Sequence, residues 1–348
     1  MPLFLDPAGS TVALNAPNCL TVGLLNNMPD AALEATERQF TDLVRAAATD
    51  AVVLLKLFAI PELPRAAGVR AEMAGRYRDL AELWDSELDG LIVTGAEPRA
   101  AQLSDEPYWQ SLRSLVDWAR EHTAATIWSC LAAHAAVLHA DGIERRPLKD
   151  KRCGVFAFRP AADHPLSAHF PDPLLVPHSR YNDVPERALS ACGYKILTRS
   201  KNAGVDAFAK LNDSFFLYFQ GHPEYQAATL LREYRRDVGR FLHGERDGYP
   251  RLPAGYFGDR AAALAAAFRA RALAERRGDL IGEFPMAALE AGLDWPWRAA
   301  AVGIYEKWLG YLSARKAERR ALAVPATRLR RTWRDWPLGP RHAGGSAQ

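Results

Sequence analysis

The chain has 348 residues, 49% hydrophobic and 24% charged, with a formal charge of +3. That composition suits a soluble globular protein with a large core, and the near-neutral balance gives no polyelectrolyte signature of a nucleic-acid binder. No apolar run reaches the roughly 20 residues of a membrane span, so no membrane partner is expected.

The first twenty residues lack a basic segment followed by an apolar one, so no signal peptide is expected. The run over 20–26 reads as a buried parallel strand. After AsnAsnMetPro, the spacing of Leu33, Phe40 and Leu43 predicts a helix over 31–48. A β-branched run over 51–60 predicts a second strand, broken by ProGluLeuPro. A charged helix is expected over 70–86, with Tyr77, Leu80, Leu83 and Trp84 as its apolar face. Residues 89–97, DGLIVTGAE, form a strand running into a glycine turn; a helix over 106–121 and a strand over 124–129 follow. The segment 144–193 is richer in Pro and His and less periodic, and is expected to wrap over the sheet edge. Strands return at 194–196, 207–209 and 215–219, the last two as a hairpin turning at AsnAsp. Helices are expected over 226–243, 261–277 and 298–320.

Strands alternating with helices argue for an α/β fold with a doubly wound, mostly parallel sheet. The expected division is a main domain over 1–258, a helical C-terminal extension over 259–322 and an Arg-rich mobile tail over 323–348. In such sheets the chemistry sits outside the carboxyl ends of the strands. The turns to inspect are therefore AsnAsnMetPro, ThrGlyAlaGlu and SerCysLeuAla.

The four cysteines, Cys19, Cys130, Cys153 and Cys192, form no CxxC pair, which speaks against a disulfide framework or a metal site and for a reducing cytoplasm. Cys130 stands where a strand gives way to a helix. At such an elbow the next N–H, that of Leu131, can face a developing oxyanion, and the helix N-terminus favours thiolate. The bland alternative is a cysteine packed as a small hydrophobe. GlyHisProGlu, 221–224, shifts the balance: a histidine can take a thiol proton and a carboxylate two residues on can orient its imidazole. The bland reading of His222 alone is a capping or packing histidine.

The motifs TVGLLNNMP, DGLIVTGAE with PYW downstream, the cysteine elbow, KRCGVF, PHSRY and GHPEY followed by EYRRD come in that order. Together they resemble the homoserine O-acyltransferases, which carry a class I glutamine-amidotransferase-like fold and whose best-known members are homoserine O-succinyltransferases. The resemblance runs from about residue 20 to about 256 and returns at KWLGY, 307–311. It implies that Cys130 is the acylated nucleophile, His222 the general base and Glu224 its orienting acid. It also implies that Lys151 lines the site, that Ser179 and Arg180 form a polar wall of the pocket, and that Glu233 and Arg236 belong to the acceptor site. A guanidinium reads an α-carboxylate bidentately and a carboxylate reads an α-ammonium. Without the neighbouring motif, Glu233 and Arg236 would be a solvated i,i+3 pair worth about 0.2–0.5 kcal/mol.

Departures from the family pattern bear on substrate choice. The lysine that usually follows AsnLeuMetPro and touches the acceptor is absent; Asp30, Ala31 and Ala32 stand there. In the loop that tunes acyl choice the sequence reads Glu97, Pro98, Arg99, and Arg99 either meets a succinyl carboxylate or points to solvent. His134, one turn below Cys130, reads as packing. The segment after about residue 260 is longer than the resemblance leads one to expect.

The resulting expectation is a cytoplasmic acyltransferase, a homodimer, with no permanently bound cofactor and an acyl-CoA as co-substrate. The acyl group passes through a thioester on Cys130, with the oxyanion held by N–H groups of Leu131 and the Gly95–Ala96 turn. Homoserine and succinyl-CoA are the first choices; serine or another hydroxy amino acid, and acetyl-CoA, are alternatives. A glutaminase or amide hydrolase on the same triad, and a non-enzymatic interaction protein, are the competing classes.

Overall fold

The computed structural model describes residues 3–6, 19–167 and 170–321; the tail expected over 323–348 lies outside the described residues. The first half alternates much as its pattern dictates: β1 (Leu3–Asp6), β2 (Cys19–Leu25), α1 (Asp30–Ala47) and β3 (Val52–Phe58). The single helix expected over 70–86 is not formed. It is divided into α2 (Ala67–Met73), β4 (Tyr77–Arg78) and α3 (Leu80–Trp84). Two local causes are visible. Tyr77 and Arg78 pair in parallel with Leu57 and Phe58 of β3, and Asp79 with Glu82 forms a capping box that starts a new helix. Then follow β5 (Gly90–Val93), α4 (Trp109–His122), β6 (Ala125–Ser129) and α5 (Leu131–Asp141).

Within the segment expected to wrap the sheet edge, the chain forms a long antiparallel ribbon, β7 (Arg146–Pro160) with β8 (Leu174–Asp183). After α6 (Glu186–Ala191) come β9 (Lys195–Ile196), β10 (Thr198–Ser200), β11 (Gly204–Val205), β12 (Ala207–Leu211) and β13 (Phe215–Phe219). The ribbon joins β10 and β11 in a four-stranded sheet. β12 and β13 form the expected hairpin.

The main sheet runs β1-β3-β2-β5-β6-β13-β12-β9, with β4 beside β3. Every pair from β1 to β13 is parallel; β12 runs against the rest, and β9, antiparallel to β12, runs with them again. Both faces are covered, which is why its strands read as continuous apolar runs. One face packs Val22, Leu24, Ile92, Ile127 and Leu217 under α1. The other packs Leu91, Val93, Trp128 and Phe216 under α4 and α5.

Beyond residue 258 the chain is helical: α7 (Thr229–Leu242) precedes it, then α8 (Asp259–Glu275), α9 (Met286–Glu290) and α10 (Arg298–Ala321). α8 and α9 pack on α7 around Phe268, Leu280 and Leu289. α10 lies on the main sheet beside α1, burying Ile304, Tyr305, Trp308 and Leu312. Its last turns add two ion pairs, Lys316 and Arg319 to Asp89 at 2.6 and 3.0 Å. Among the described residues no helix is long and apolar enough to cross a membrane.

Candidate active site

β6 ends at Ser129 and α5 begins at Leu131, so Cys130 alone makes the turn, with φ 52° and ψ −113°. A non-glycine residue held in a sparsely populated region costs about 1–3 kcal/mol and persists only where its surroundings over-determine it. Here they do: the Cys130 N–H donates to the Phe219 carbonyl at 2.7 Å, and its carbonyl accepts from the His134 N–H at 3.3 Å. The Gly95 backbone lies against the same elbow. A Cβ at Gly95 would sit 3.0 Å from Leu131 Cβ and 3.1 Å from its nitrogen, so a side chain there would press on the elbow by a few tenths of an ångström. Leu131 is the first residue of α5, where the N–H has no intrahelical acceptor.

Phe219 pairs with Ser129 in the parallel β13–β6 register, which brings the chain leaving β13 beside Cys130. The His222 N–H is tied to the Pro177 carbonyl of β8 at 2.8 Å. Its Nδ1 lies 2.8 Å from Glu224 Oε1, and the Ser129 hydroxyl donates to the same oxygen at 3.5 Å. Glu224 is 4% exposed. Burial disfavours the imidazolium of His222, but the charges of Cys130 and Glu224, and hydrogen bonds to both, outweigh it and hold its pKa well above the ordinary value. Cys130, His222 and Glu224 are thus brought together as the sequence suggests. The turn that carries His222 and Glu224 is anchored from the C-terminal segment: the indoles of Trp295 and Trp297 both donate to the Tyr225 carbonyl, at 3.0 and 2.7 Å.

A second cluster adjoins the triad. Tyr225 stacks on His222 with ring centroids 4.2 Å apart, and its hydroxyl donates to Glu233 Oε1 at 2.6 Å. The Ser179 hydroxyl donates to Glu233 Oε2. Lys151 Nζ lies 3.7 Å from that oxygen and 2.7 Å from Asp237. Burial lowers the Lys151 pKa, but Glu233 and Asp237 overcome this and raise it. Arg236 lies half-exposed at the edge, 3.5 Å from Asp237. A cavity of about 560 Å³ opens beyond Lys151, lined by Lys149, Arg246, Arg251, Tyr181 and Tyr249 among others.

Arg180 does not face this cluster as an open wall. It is buried, and its guanidinium is spent on Asp183 at 2.7 Å, Gln220 Oε1 at 3.2 Å and the carbonyls of Asn182 and Ala203 at 2.9 Å each. Gln220 in turn meets His134 Nε2 at 3.0 Å, and burial pushes the His134 pKa down to about 3. His134 is a neutral packing residue, as its place on α5 suggests. Arg180 is therefore a structural tie beneath the His222 turn.

In the loop after β5 the Arg99 side chain is exposed, while its backbone N–H donates to buried Glu106 at 2.6 Å. Sequence reasoning passed over Arg145. Its guanidinium reaches under this loop to the Ala101 carbonyl at 3.4 Å, and burial depresses its pKa against the charges of Tyr108, Glu106 and Cys130. Tyr225 and Asp237 were also missed, although the first stands inside GHPEY and the second ends EYRRD. Among the described residues no group of three or more His, Cys, Asp or Glu is placed to hold a metal.

The sheet and this edge define an α/β protein with a Cys–His–Glu triad on a strand-to-helix elbow, an arrangement suited to acyl transfer through a thiol. The chain belongs to the homoserine O-succinyltransferase family, whose family model matches residues 10–319. That match continues through α10, further than the separate motifs reach. The chain is 50% identical to the homoserine O-succinyltransferase of Rhodopseudomonas palustris over 294 residues, 84% of this chain and 88% of that one. It is 48% identical to that of Methylorubrum extorquens over 298 residues, 86% and 88% of the two chains. Among solved structures it is similar to a glutamine amido transferase from Methylobacillus flagellatus, with 15% identity, a TM-score of 0.46 and coverage of 84% and 94%.

Proposed function

We propose that this O-acyltransferase moves a succinyl group from succinyl-CoA to the hydroxyl of homoserine through a thioester on Cys130. The observation that carries the mechanism is the juxtaposition of Cys130, His222 and Glu224 at the ends of the neighbouring strands β6 and β13, with His222 Nδ1 2.8 Å from Glu224 Oε1. The Cys130 thiolate attacks the thioester carbonyl, and the tetrahedral oxyanion is held by N–H groups of Leu131 and the Gly95–Ala96 turn. The carbon–sulfur bond to CoA breaks and the CoA sulfur takes the proton from His222. The homoserine hydroxyl then gives its proton to His222 and its oxygen attacks the acyl-cysteine, expelling the Cys130 thiolate.

Glu233 is the group for the acceptor ammonium, and Arg236, the less buried cation, for its carboxylate. Lys151 and Ser179 hold Glu233 in place. The cationic cavity beyond Lys151 suits the phosphorylated nucleotide end of the CoA, because the leaving sulfur and the attacking oxygen occupy the same side of His222. The half-buried Arg145 is the better-placed cation for a succinyl carboxylate than the exposed Arg99. The test is intact-protein mass after mixing with succinyl-CoA, then a chase with homoserine. A succinyl adduct that forms in the parent, is discharged by homoserine and is absent in Cys130→Ala supports the reading. An adduct retained in Cys130→Ala overturns it, and an adduct formed only from acetyl-CoA moves the donor.

A further inference from the structure

Asn27, 3% exposed, lies just past the end of β2, beside the turn that follows β5. Its backbone N–H donates to Thr94 Oγ1 at 2.8 Å, and its side-chain Nδ2 donates to the Thr94 carbonyl at 3.2 Å. The Thr94 hydroxyl in turn donates to the Gly95 carbonyl at 3.1 Å. These contacts hold two successive peptide planes.

The carbonyl and N–H of one trans peptide point in opposite directions. β5 lies between β2 and β6. A Thr94 carbonyl drawn toward Asn27 on the β2 side therefore turns the Gly95 N–H toward the β6 side, where Cys130 and Leu131 stand. The same logic applies one peptide further on, where the Thr94 hydroxyl holds the Gly95 carbonyl and so sets the Ala96 N–H. Among the described residues, neither N–H donates to a protein acceptor. Asn27 Oδ1 is itself buried with no partner. A buried unsatisfied acceptor is costly, and turning the amide over would set Oδ1 against the Thr94 carbonyl and lose the donor. The side chain is thus held in the orientation that grips this peptide.

We propose that Asn27 is a positioning residue for the oxyanion site: by gripping the Thr94–Gly95 peptide it aims the Gly95 N–H at the tetrahedral centre that forms on Cys130. The inference rests on Cys130 being the acylated nucleophile and adds to it a residue that touches neither substrate.

The experiment compares two reactions of the same thiol. Acylation by succinyl-CoA passes through a tetrahedral oxyanion; alkylation by iodoacetamide does not. Removing an oxyanion donor outright costs about 10²–10³-fold, and a donor that is loosened rather than removed loses less. Asn27→Leu, which keeps bulk without a donor, and Asn27→Asp, which keeps shape and repels the carbonyl, are expected to slow single-turnover acylation at least about tenfold. Their alkylation rate, and its pH dependence, stay at the parent values. Thr94→Val, which releases the second peptide, shows the same split. Acylation at the parent rate in Asn27→Leu and Asn27→Asp overturns the proposal, as does a parallel loss of acylation and alkylation, which marks Asn27 as a tether of the whole edge. A variant too unstable to assay counts with that second result, since it too makes Asn27 a tether. Persistence of the adduct in Cys130→Ala overturns the nucleophile assignment instead, so the two failures are told apart.

Discussion

Glu224→Gln removes one charge from the triad and nearly nothing else. His222 Nδ1 and Glu224 Oε1 are 2.8 Å apart, and the carboxylate is shielded from solvent, so salt does little to weaken the contact. A hydrogen bond to a charged group contributes about 1.5–3 kcal/mol and a neutral one about 0.5–1.5 kcal/mol. The difference, about 1–2 kcal/mol, is roughly 5- to 30-fold in any step that forms the imidazolium. A second effect has the same sign. Glu224 Oε2 is buried without a partner, so an amide nitrogen there becomes an unsatisfied donor. An amide turned to avoid this places its nitrogen on Nδ1 and selects the wrong imidazole tautomer. The combined expectation is a loss of about ten- to a hundredfold in kcat/KM, less than the roughly 10²–10⁴-fold for His222→Ala, which removes the proton carrier. The pH dependence follows from the sign of the shift. Burial works against the charged imidazole, and the negative charges of Cys130 and Glu224 raise its pKa. Taking away one of those charges lowers that pKa, so the acid limb of the kcat/KM profile moves to lower pH while the plateau falls. The assay is steady-state succinyl transfer across the pH range, with thermal melting of each variant. A parent-like plateau with an unmoved acid limb would refute the electrostatic role of Glu224. Equal unfolding of the Glu224 and His222 variants would reduce the turn to a structural one.

Arg99→Ala leaves the ratio of specificity constants for succinyl-CoA and acetyl-CoA near the parent value, because its side chain is exposed and exposed charges contribute little. Arg145→Leu lowers that ratio about tenfold or more, as loss of a hydrogen bond to a charged group of about 1.5–3 kcal/mol requires; an unchanged ratio removes Arg145 from donor choice. Glu233→Gln raises the KM for homoserine with little effect on acylation of Cys130, and equal damage to both half-reactions would place Glu233 outside the acceptor site. Gly90→Ala is a stability prediction. Its Cβ would fall 2.6 Å from Leu312 and 2.8 Å from Trp308, both fully buried on α10, so overpacking costs about 1–3 kcal/mol. A melting temperature equal to the parent's would show that α10 can shift.

Some of this molecule is written locally and some is not. Strands β2, β3, β5 and β6 are legible because a sheet covered on both faces demands contiguous apolar residues, and a chain can state that in a few positions. The Cys130 elbow and the His222–Glu224 turn are legible for the same reason: each is a short strand end followed at once by a helix or turn. The ribbon of β7 and β8 is not, because Lys149, Asp150, Lys151 and Arg152 carry the composition of a loop. The first three fall where the register shifts between Pro147 and Arg152, and pairing with the partner strand resumes with Arg152 facing Arg180 and Cys153 facing Ser179. The helix expected over 70–86 fails for a related reason: Tyr77 and Arg78 exchange helical bonds for bonds to β3. Arg180 reads from its motif as a pocket residue, yet Asp183, Gln220 and Ala203 occupy it from three different segments. Lys151 meets Asp237 across 86 positions, and Asn27 grips Thr94 across 67. Local periodicity records which side of an element is buried. Which carbonyl a buried amide finds, and which carboxylate a lysine meets, depends on the order of strands in the sheet, and only the closed tertiary structure decides that.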